Sequence, residues 1–130
     1  MLIDTHCHLF FEELKKDLVG VLSRASDLGV TKFICVGTNV EDSKESYDLA
    51  LNYENIFSTA GVHPHDSKEV SKDYLDQIKE LLKNHKVVAL GEIGLDYFKN
   101  ISDRKIQKKI FREQLELAQE INKPIVFHNR

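Results

Sequence analysis

Two histidines one residue apart, His6 and His8, end a short apolar lead-in, Leu2-Ile3. Successive strand side chains point to opposite faces, so His6 and His8 share a face and Cys7 points away. Two imidazoles side by side can grip one metal ion. More residues of this kind recur along the chain: His63 and His65 in Gly61-Val-His-Pro-His65, Glu92 in Gly91-Glu-Ile-Gly-Leu-Asp-Tyr97, and His128 closing Pro124-Ile-Val-Phe-His128. Imidazole nitrogens with a carboxylate suit zinc, manganese, iron, cobalt or magnesium. One carboxylate can bridge two ions about 3.5–4 Å apart, and such a pair can clamp an in-line displacement at phosphorus and lower the pKa of bound water. Glu92 lies between His6/His8 and His128 in chain order, which makes it the natural bridge.

The elements that must position these residues alternate. Leu2-Ile3 opens a strand; Phe10 to Leu28 has apolar residues at helical spacing, stopped by Gly29. Lys32–Val36 reads as a strand, a helix follows from about Asp42 to Tyr53, and Asn55–Val62 reads as the third strand. Ser71 is placed as the cap of a third helix carrying Leu75, Ile78, Leu81 and Leu82. Val87–Leu90 is a continuous apolar strand. Ser102 is placed as the cap of a fourth helix with the stripe Ile106, Ile110, Phe111, Gln114, Leu115, Ala118 and Ile121. Asn122-Lys-Pro124 ends it, and Ile125–Phe127 is the last strand. Short strands that are apolar along their length, alternating with helices, imply a parallel sheet with right-handed crossovers.

On that architecture His6 and His8 close strand one, His63 and His65 follow strand three, Glu92 closes strand four and His128 closes strand five. In a parallel barrel those strand ends form one rim, where active sites are built. Residues scattered in sequence therefore converge in space. The other polar residues have two readings each. Asp4 either orients a liganding histidine or is a polar strand start. Asp96 and Tyr97, after Gly94, either contact substrate or anchor a tight rim loop. Arg130 either pairs with a phosphate through its bidentate fork or is a disordered terminal residue. His85 falls on the opposite face, and the lysines of helices three and four read as solvated faces.

The chain has 130 residues, 42% hydrophobic and 30% charged, with a formal net charge of −3. That suits one globular domain over residues 1–130 and carries none of the strong basic excess of a non-specific nucleic-acid binder. A nucleic-acid substrate remains compatible, because metal ions supply local positive charge. No apolar run is long enough for a membrane span. Met1 leads straight into the strand with no signal-peptide pattern, and Cys7 and Cys35 read as buried packing residues; both point to the cytoplasm.

Together, Ile3-Asp-Thr-His-Cys-His8, Gly61-Val-His-Pro-His65, Gly91-Glu-Ile-Gly-Leu-Asp-Tyr97, Phe111-Arg-Glu-Gln-Leu-Glu-Leu-Ala118 and Pro124-Ile-Val-Phe-His128 resemble the TatD family of metal-dependent hydrolases, within the amidohydrolase-like barrels. The resemblance spans the whole chain. It implies an α/β fold, a parallel (β/α)8 TIM-type barrel, with two divalent metal ions (Mg, Mn, Zn, Fe or Co) and phosphodiester hydrolysis, usually of DNA. It further implies that His6 and His8 bind one metal, Glu92 bridges, His128 binds the second, His63 sits beside the substrate phosphate and His65 supports the rim. A barrel of this type takes about 250 residues, and the sequence supplies about five of its eight βα units. The family's later metal ligands, a histidine after strand six and an aspartate near strand eight, have no counterpart here. The expectation is therefore the N-terminal part of a longer barrel, inactive alone, or an assembly in which a second chain supplies the missing wall. Two other functions compete: hydrolysis of a C–N bond or lactone by another amidohydrolase-like barrel, and a non-catalytic fragment that binds metal or a partner.

Overall fold

The computed structural model describes residues 1–130. Five strands, β1 (Leu2–Cys7), β2 (Val30–Val36), β3 (Ile56–Ala60), β4 (Val87–Leu95) and β5 (Ile125–Asn129), form one sheet in the order β1-β2-β3-β4-β5. Every neighbouring pair is parallel. The helices are α1 (Glu12–Lys15), α2 (Leu18–Asp27), α3 (Val40–Asn52), α4 (Tyr74–Leu82) and α5 (Arg104–Ile121). Helix α3 touches α4 and α4 touches α5, so they form one layer against the sheet. Sequential order with the helices in one layer is the winding of a barrel; a doubly wound sheet reverses its order part-way. No helix is long and apolar enough to cross a membrane.

The core lies between sheet and helices in two clusters. One gathers Val62, Ile78, Val87, Leu90, Ile93, Ile110 and Leu117 under α4 and α5; the other gathers Leu9, Leu18, Phe33, Cys35, Ala50 and Ile56 under α2 and α3. Cys7 and Cys35 are register partners across β1 and β2, and both pack into the second cluster. The far sides of β1 and β5 have no strand neighbour, and Leu2, Ile3, Ile125 and Phe127 are exposed there.

Several boundaries differ from expectation for local reasons. The first helical stretch breaks into α1 and α2 at Asp17, whose carboxylate folds over Gly20 and pairs with Arg24 at 3.1 Å. A Cβ on Gly20 would stand 2.4 Å from that carboxylate. Asp73 stands at the N-cap position of α4 without a side-chain bond to a helix amide, and Ser71 donates its hydroxyl to Asp73 at 2.6 Å. The cap of α5 is Asp103, accepting from the Lys105 amide at 2.8 Å; Ser102 is buried and donates to the His65 carbonyl at 2.7 Å. Strand β4 runs five residues beyond Leu90, to Leu95, so Glu92 and Gly94 lie inside a strand. Asn122 ends α5 at φ 52°, and Gly29 follows α2 at φ 86°, both left-handed stops.

Two polar residues occupy core positions two turns apart on α5. Gln114 accepts from the Val62 amide at 2.7 Å and donates to the Val62 carbonyl at 3.0 Å. Gln107 accepts from the Asp96 amide at 2.8 Å and donates to the Asp96 and Ser102 carbonyls at 3.1 and 2.8 Å. Both side chains are fully buried, so each converts an irregular chain segment into a paired one. Gln114→Met keeps most of the volume and orphans both Val62 backbone groups. Urea denaturation is expected to show a loss of about 1–3 kcal/mol per orphaned group; an unchanged midpoint would mean that Val62 finds other partners.

Candidate metal centre

The β3–β4 pairing covers only Ser58–Ala60, and β4 continues beyond it. There the Glu92 amide donates across to the Gly37 carbonyl after β2, at 2.9 Å. The Thr59 hydroxyl donates to the Gly91 carbonyl at 2.5 Å. Glu92 is thus pinned from both sides over the end of β3. Its side chain is 12% exposed, and its two oxygens point to different histidines. Oε2 lies 3.3 Å from His6 Nε2, and Oε1 lies 3.2 Å from His128 Nδ1.

Two ligand groups share that carboxylate. Potential ligand atoms of His6, His8 and Glu92 lie within 4.8 Å of one another, as do those of His63, Glu92 and His128. The His8 ring stacks on Phe11 at 5.1 Å, and its Nδ1 lies 2.8 Å from the Val36 carbonyl. A carbonyl only accepts, so Nδ1 carries the hydrogen and Nε2 keeps its lone pair for a metal. Two imidazoles and one shared carboxylate are a donor set that suits divalent ions of the zinc and manganese kind. The residues present therefore fit a divalent ion on each side of Glu92.

His63 enters this group in a different state. It is 8% exposed, and burial, against the pull of the Glu92 carboxylate, pushes its pKa down to about 4. Its Nδ1 accepts the His65 amide at 3.1 Å, so the neutral ring carries its hydrogen on Nε2. That makes it a neutral donor facing the cluster.

Asp96 lies beneath the rim, fully buried. Its Oδ2 receives His65 Nε2 at 2.9 Å, His128 Nε2 at 3.1 Å and, more distantly, the Arg130 guanidinium at 3.5 Å; Oδ1 takes the Lys99 amide at 2.8 Å. Burial works against its charge, but the Lys99 amide, the two histidines and Arg130 outweigh it and hold the carboxyl well below the usual range. Asp96 thus engages His65, His128 and Arg130 at once. Asp4 accepts the His6 backbone amide at 3.1 Å, placing its influence on the main chain of His6. The Tyr97 amide is tied to the Arg130 carbonyl at 2.6 Å, and its buried hydroxyl has no partner. Arg130 also lies over Phe98, 5.0 Å from the ring centroid. His85 is exposed, just before the start of β4 and so at the other end of the strands.

Residues 3–130 match the family described as "TatD related DNase". The chain belongs to that family. It is 41% identical over 130 residues to an uncharacterised metal-dependent hydrolase, YabD, of Bacillus subtilis, covering all of this chain and 51% of that protein. It is 39% identical over 129 residues to the 3'-5' ssDNA/RNA exonuclease TatD of Shigella flexneri, covering 99% of this chain and 50% of that protein. The crystal structure of a TatD homologue from Escherichia coli superposes with a TM-score of 0.92 at 37% identity, over 99% of this chain and 51% of that one. The chain thus spans about half the length of the curated relatives it matches. The five parallel strands are the first part of a TatD-type (β/α) barrel.

Sequence reasoning missed Gln107 and the role of Gln114, which hold the loops bearing Asp96 and His63. The available signal was a pair of glutamines at buried positions of an otherwise apolar stripe. It also placed Gly94 in a loop. In the strand, Gly94 pairs with His128, and a Cβ there would stand 1.8 Å from the His128 carbonyl oxygen. Gly94→Ala must push β5 away and carry His128 off Glu92. Equilibrium dialysis with Mn²⁺ or Zn²⁺ is expected to show at least about a tenfold loss of affinity; wild-type affinity would show that β5 adapts without moving His128.

The buried His63 gives a pH dependence with a defined sign. Its folded pKa, about 4, lies below the ordinary 6.5, so between those values the unfolded chain binds the extra proton. Stability then rises with pH through that window and is lost as pH falls from 6.5 towards 4. His63→Asn should flatten this slope by on the order of a few kcal/mol across the window, read by urea denaturation at stepped pH. Parallel curves for both proteins would show that His63 protonates normally.

Proposed function

We propose that residues 1–130 form a single domain that supplies half of a two-metal centre in a phosphodiester hydrolase acting on nucleic acid, DNA in the first instance. The observation that carries the reading is Glu92, with one oxygen at 3.3 Å from His6 and the other at 3.2 Å from His128. A carboxylate so placed can serve two ions at once. In this reading His6, His8 and Glu92 hold one divalent ion, and Glu92 and His128 hold the second. Divalent ions there supply Lewis acidity towards a phosphoryl oxygen and acidify water for in-line attack. The activity is that of the whole protein, whose relatives are about twice as long.

The chain's own residues have defined tasks in this reading. His63, neutral with hydrogen on Nε2, donates to a phosphoryl oxygen without adding a buried charge. Asp96 keeps His128 and His65 oriented and holds Arg130 near the rim, where its guanidinium meets substrate phosphate. Tyr97, its hydroxyl buried and its ring under Arg104, anchors the rim loop that meets substrate. Asp4 fixes the main chain that presents His6. Two free cysteines facing each other across β1 and β2 support a reducing, cytoplasmic setting. The names of relatives support the substrate class, since the Shigella flexneri protein is named as an exonuclease of single-stranded DNA and RNA.

The test is hydrolysis of a labelled single-stranded oligonucleotide by the full-length protein with Mg²⁺, Mn²⁺, Zn²⁺ or Co²⁺. Turnover should disappear with EDTA and return on adding metal. Glu92→Gln should lower it by more than about a hundredfold, because a lost bridge exceeds the loss of an outer hydrogen bond. No phosphodiester cleavage in any ion, with cleavage of cyclic amides or lactones instead, would overturn the reading in favour of another amidohydrolase-like reaction.

A further inference from the structure

Helix α5 carries its charge against its own dipole. Arg104, Lys105, Lys108, Lys109 and Arg112 are exposed in its N-terminal half, while Glu113, Glu116 and Glu120 occupy the C-terminal half. A helix N-terminus is the positive end of the macrodipole, so cations there are disfavoured. No acidic residue lies in the first turn and no basic one in the last. Little else in the chain neutralises these cations. Lys109 reaches Glu113 only at 3.9 Å, and Lys105, Lys108 and Arg112 make no ion pair. Three lysines outside this ridge are closely paired, Lys15 with Glu45 at 2.8 Å, Lys79 with Glu120 at 2.5 Å and Lys83 with Glu80 at 2.5 Å, but no other stretch of the chain gathers five cations within nine residues. In a chain of net charge −3, this ridge is a local concentration of unpaired positive charge.

The ridge starts at the rim that carries the metal centre. Gln107 is bonded to the Asp96 backbone, and the Asp96 carboxylate touches His128 and His65. Arg104 lies over the Tyr97 ring at 4.6 Å, and the next residue, Phe98, is 78% exposed. At 1.5 Å per residue, Arg104 to Arg112 extends the basic line about 12 Å away from the rim. An exposed aromatic ring, Phe98, beside a line of cations matches single-stranded nucleic acid, whose bases stack while its phosphates pair.

We propose that the exposed face of α5, from Arg104 to Arg112, and the Tyr97–Phe98 loop at its head form a track for single-stranded nucleic acid, holding the strand that runs on from the phosphodiester at the metal centre. The proposal rests on the phosphodiesterase reading for the identity of the centre, and on charge and shape for the track itself. The cost of placing cations at a positive helix end is accounted for by a polyanion that neutralises them.

The test uses the full-length protein and a variant in which Lys105, Lys108 and Arg112 are all replaced by Gln. These side chains are exposed and unpaired, and the loss of Lys105 relieves the dipole conflict in the first turn, so the melting temperature should not fall. Binding of a fluorescent oligothymidylate is followed by anisotropy in EDTA, where no turnover occurs, over a range of KCl. The slope of log K against log salt should shrink by about 0.7 for each cation removed, hence by about 2. Phe98→Ala should weaken binding by about fivefold or more. Turnover of bis(p-nitrophenyl) phosphate, too small to reach the ridge, is the control for the centre and should not change in the triple variant. Unaltered salt slope and affinity in both variants would overturn the track, as would failure of the oligonucleotide to bind. Loss of binding to anionic lipid vesicles alone would overturn it in favour of a membrane surface. Altered oligonucleotide binding in a protein that cleaves neither diester would uphold the track and sink the hydrolase reading.

Discussion

The structure depends on one constraint: a nearly buried carboxylate, Glu92, must sit between imidazoles from opposite ends of the sheet. A buried charge is costly unless it is paired. Its partners come from β1 and β5, the outermost strands of the sheet, so the strands between must curve enough to bring them together. Sequential parallel order makes that curvature possible. The extension of β4 past β3 makes it specific, because the Glu92 amide reaches Gly37 after β2 and skips the shorter strand. Gly94 then lets β5 approach β4 more closely than any side chain would allow.

Helix α5 does two jobs with opposite faces. Its inner face is mostly apolar, yet Gln107 and Gln114 sit in it fully buried. Each completes hydrogen bonds for a loop that no strand can pair, one bearing Asp96 and one preceding His63. Its outer face carries cations in the first half, of which Arg104 and Lys105, in the first turn, each cost about 0.3–1 kcal/mol at low ionic strength. Eighteen residues of helix with five buried positions can absorb that cost, where a short helix could not. Local helix stability is thus given up on one face and restored by packing on the other.

Much of this was legible in the sequence because it is periodic. Alternation of short apolar strands with amphipathic helices fixed the order of elements, and His6, His8, His63 and His128 fall at or just past the ends of their strands, whereas Glu92 lies inside a longer β4. Legibility failed where a side chain overrules propensity. The break at Asp17 depends on the room above Gly20, which no periodicity records. The N-cap positions fall at Asp73 and Asp103, and only Asp103 accepts a helix amide; Ser71 donates to Asp73 and Ser102 to the His65 carbonyl. Gln107 was invisible for a related reason: a polar residue on an apolar stripe reads as noise until the orphaned backbone group it serves is seen. Burial of Asp96 was equally hidden, since its partners come from the loop after β3, from β5 and from the chain end.

Order within the centre is uneven, and the unevenness has a direction. His128 is held through both ring nitrogens, by Glu92 and by Asp96. His8 is held by the Val36 carbonyl and by stacking on Phe11. The His6 side chain has one polar partner, Glu92, and an edge contact with the His8 ring at 5.3 Å, and it is 42% exposed on an edge strand. In the proposed two-ion reading, side chains fixed in advance would lose little freedom when an ion binds, so the ordering cost would fall mainly on His6. It follows that the β1 side of Glu92 is the more adaptable half of the pair. Whatever packs along the free edge of β1 will act on the centre chiefly through His6, while the His128 side is already set by the buried charge of Asp96.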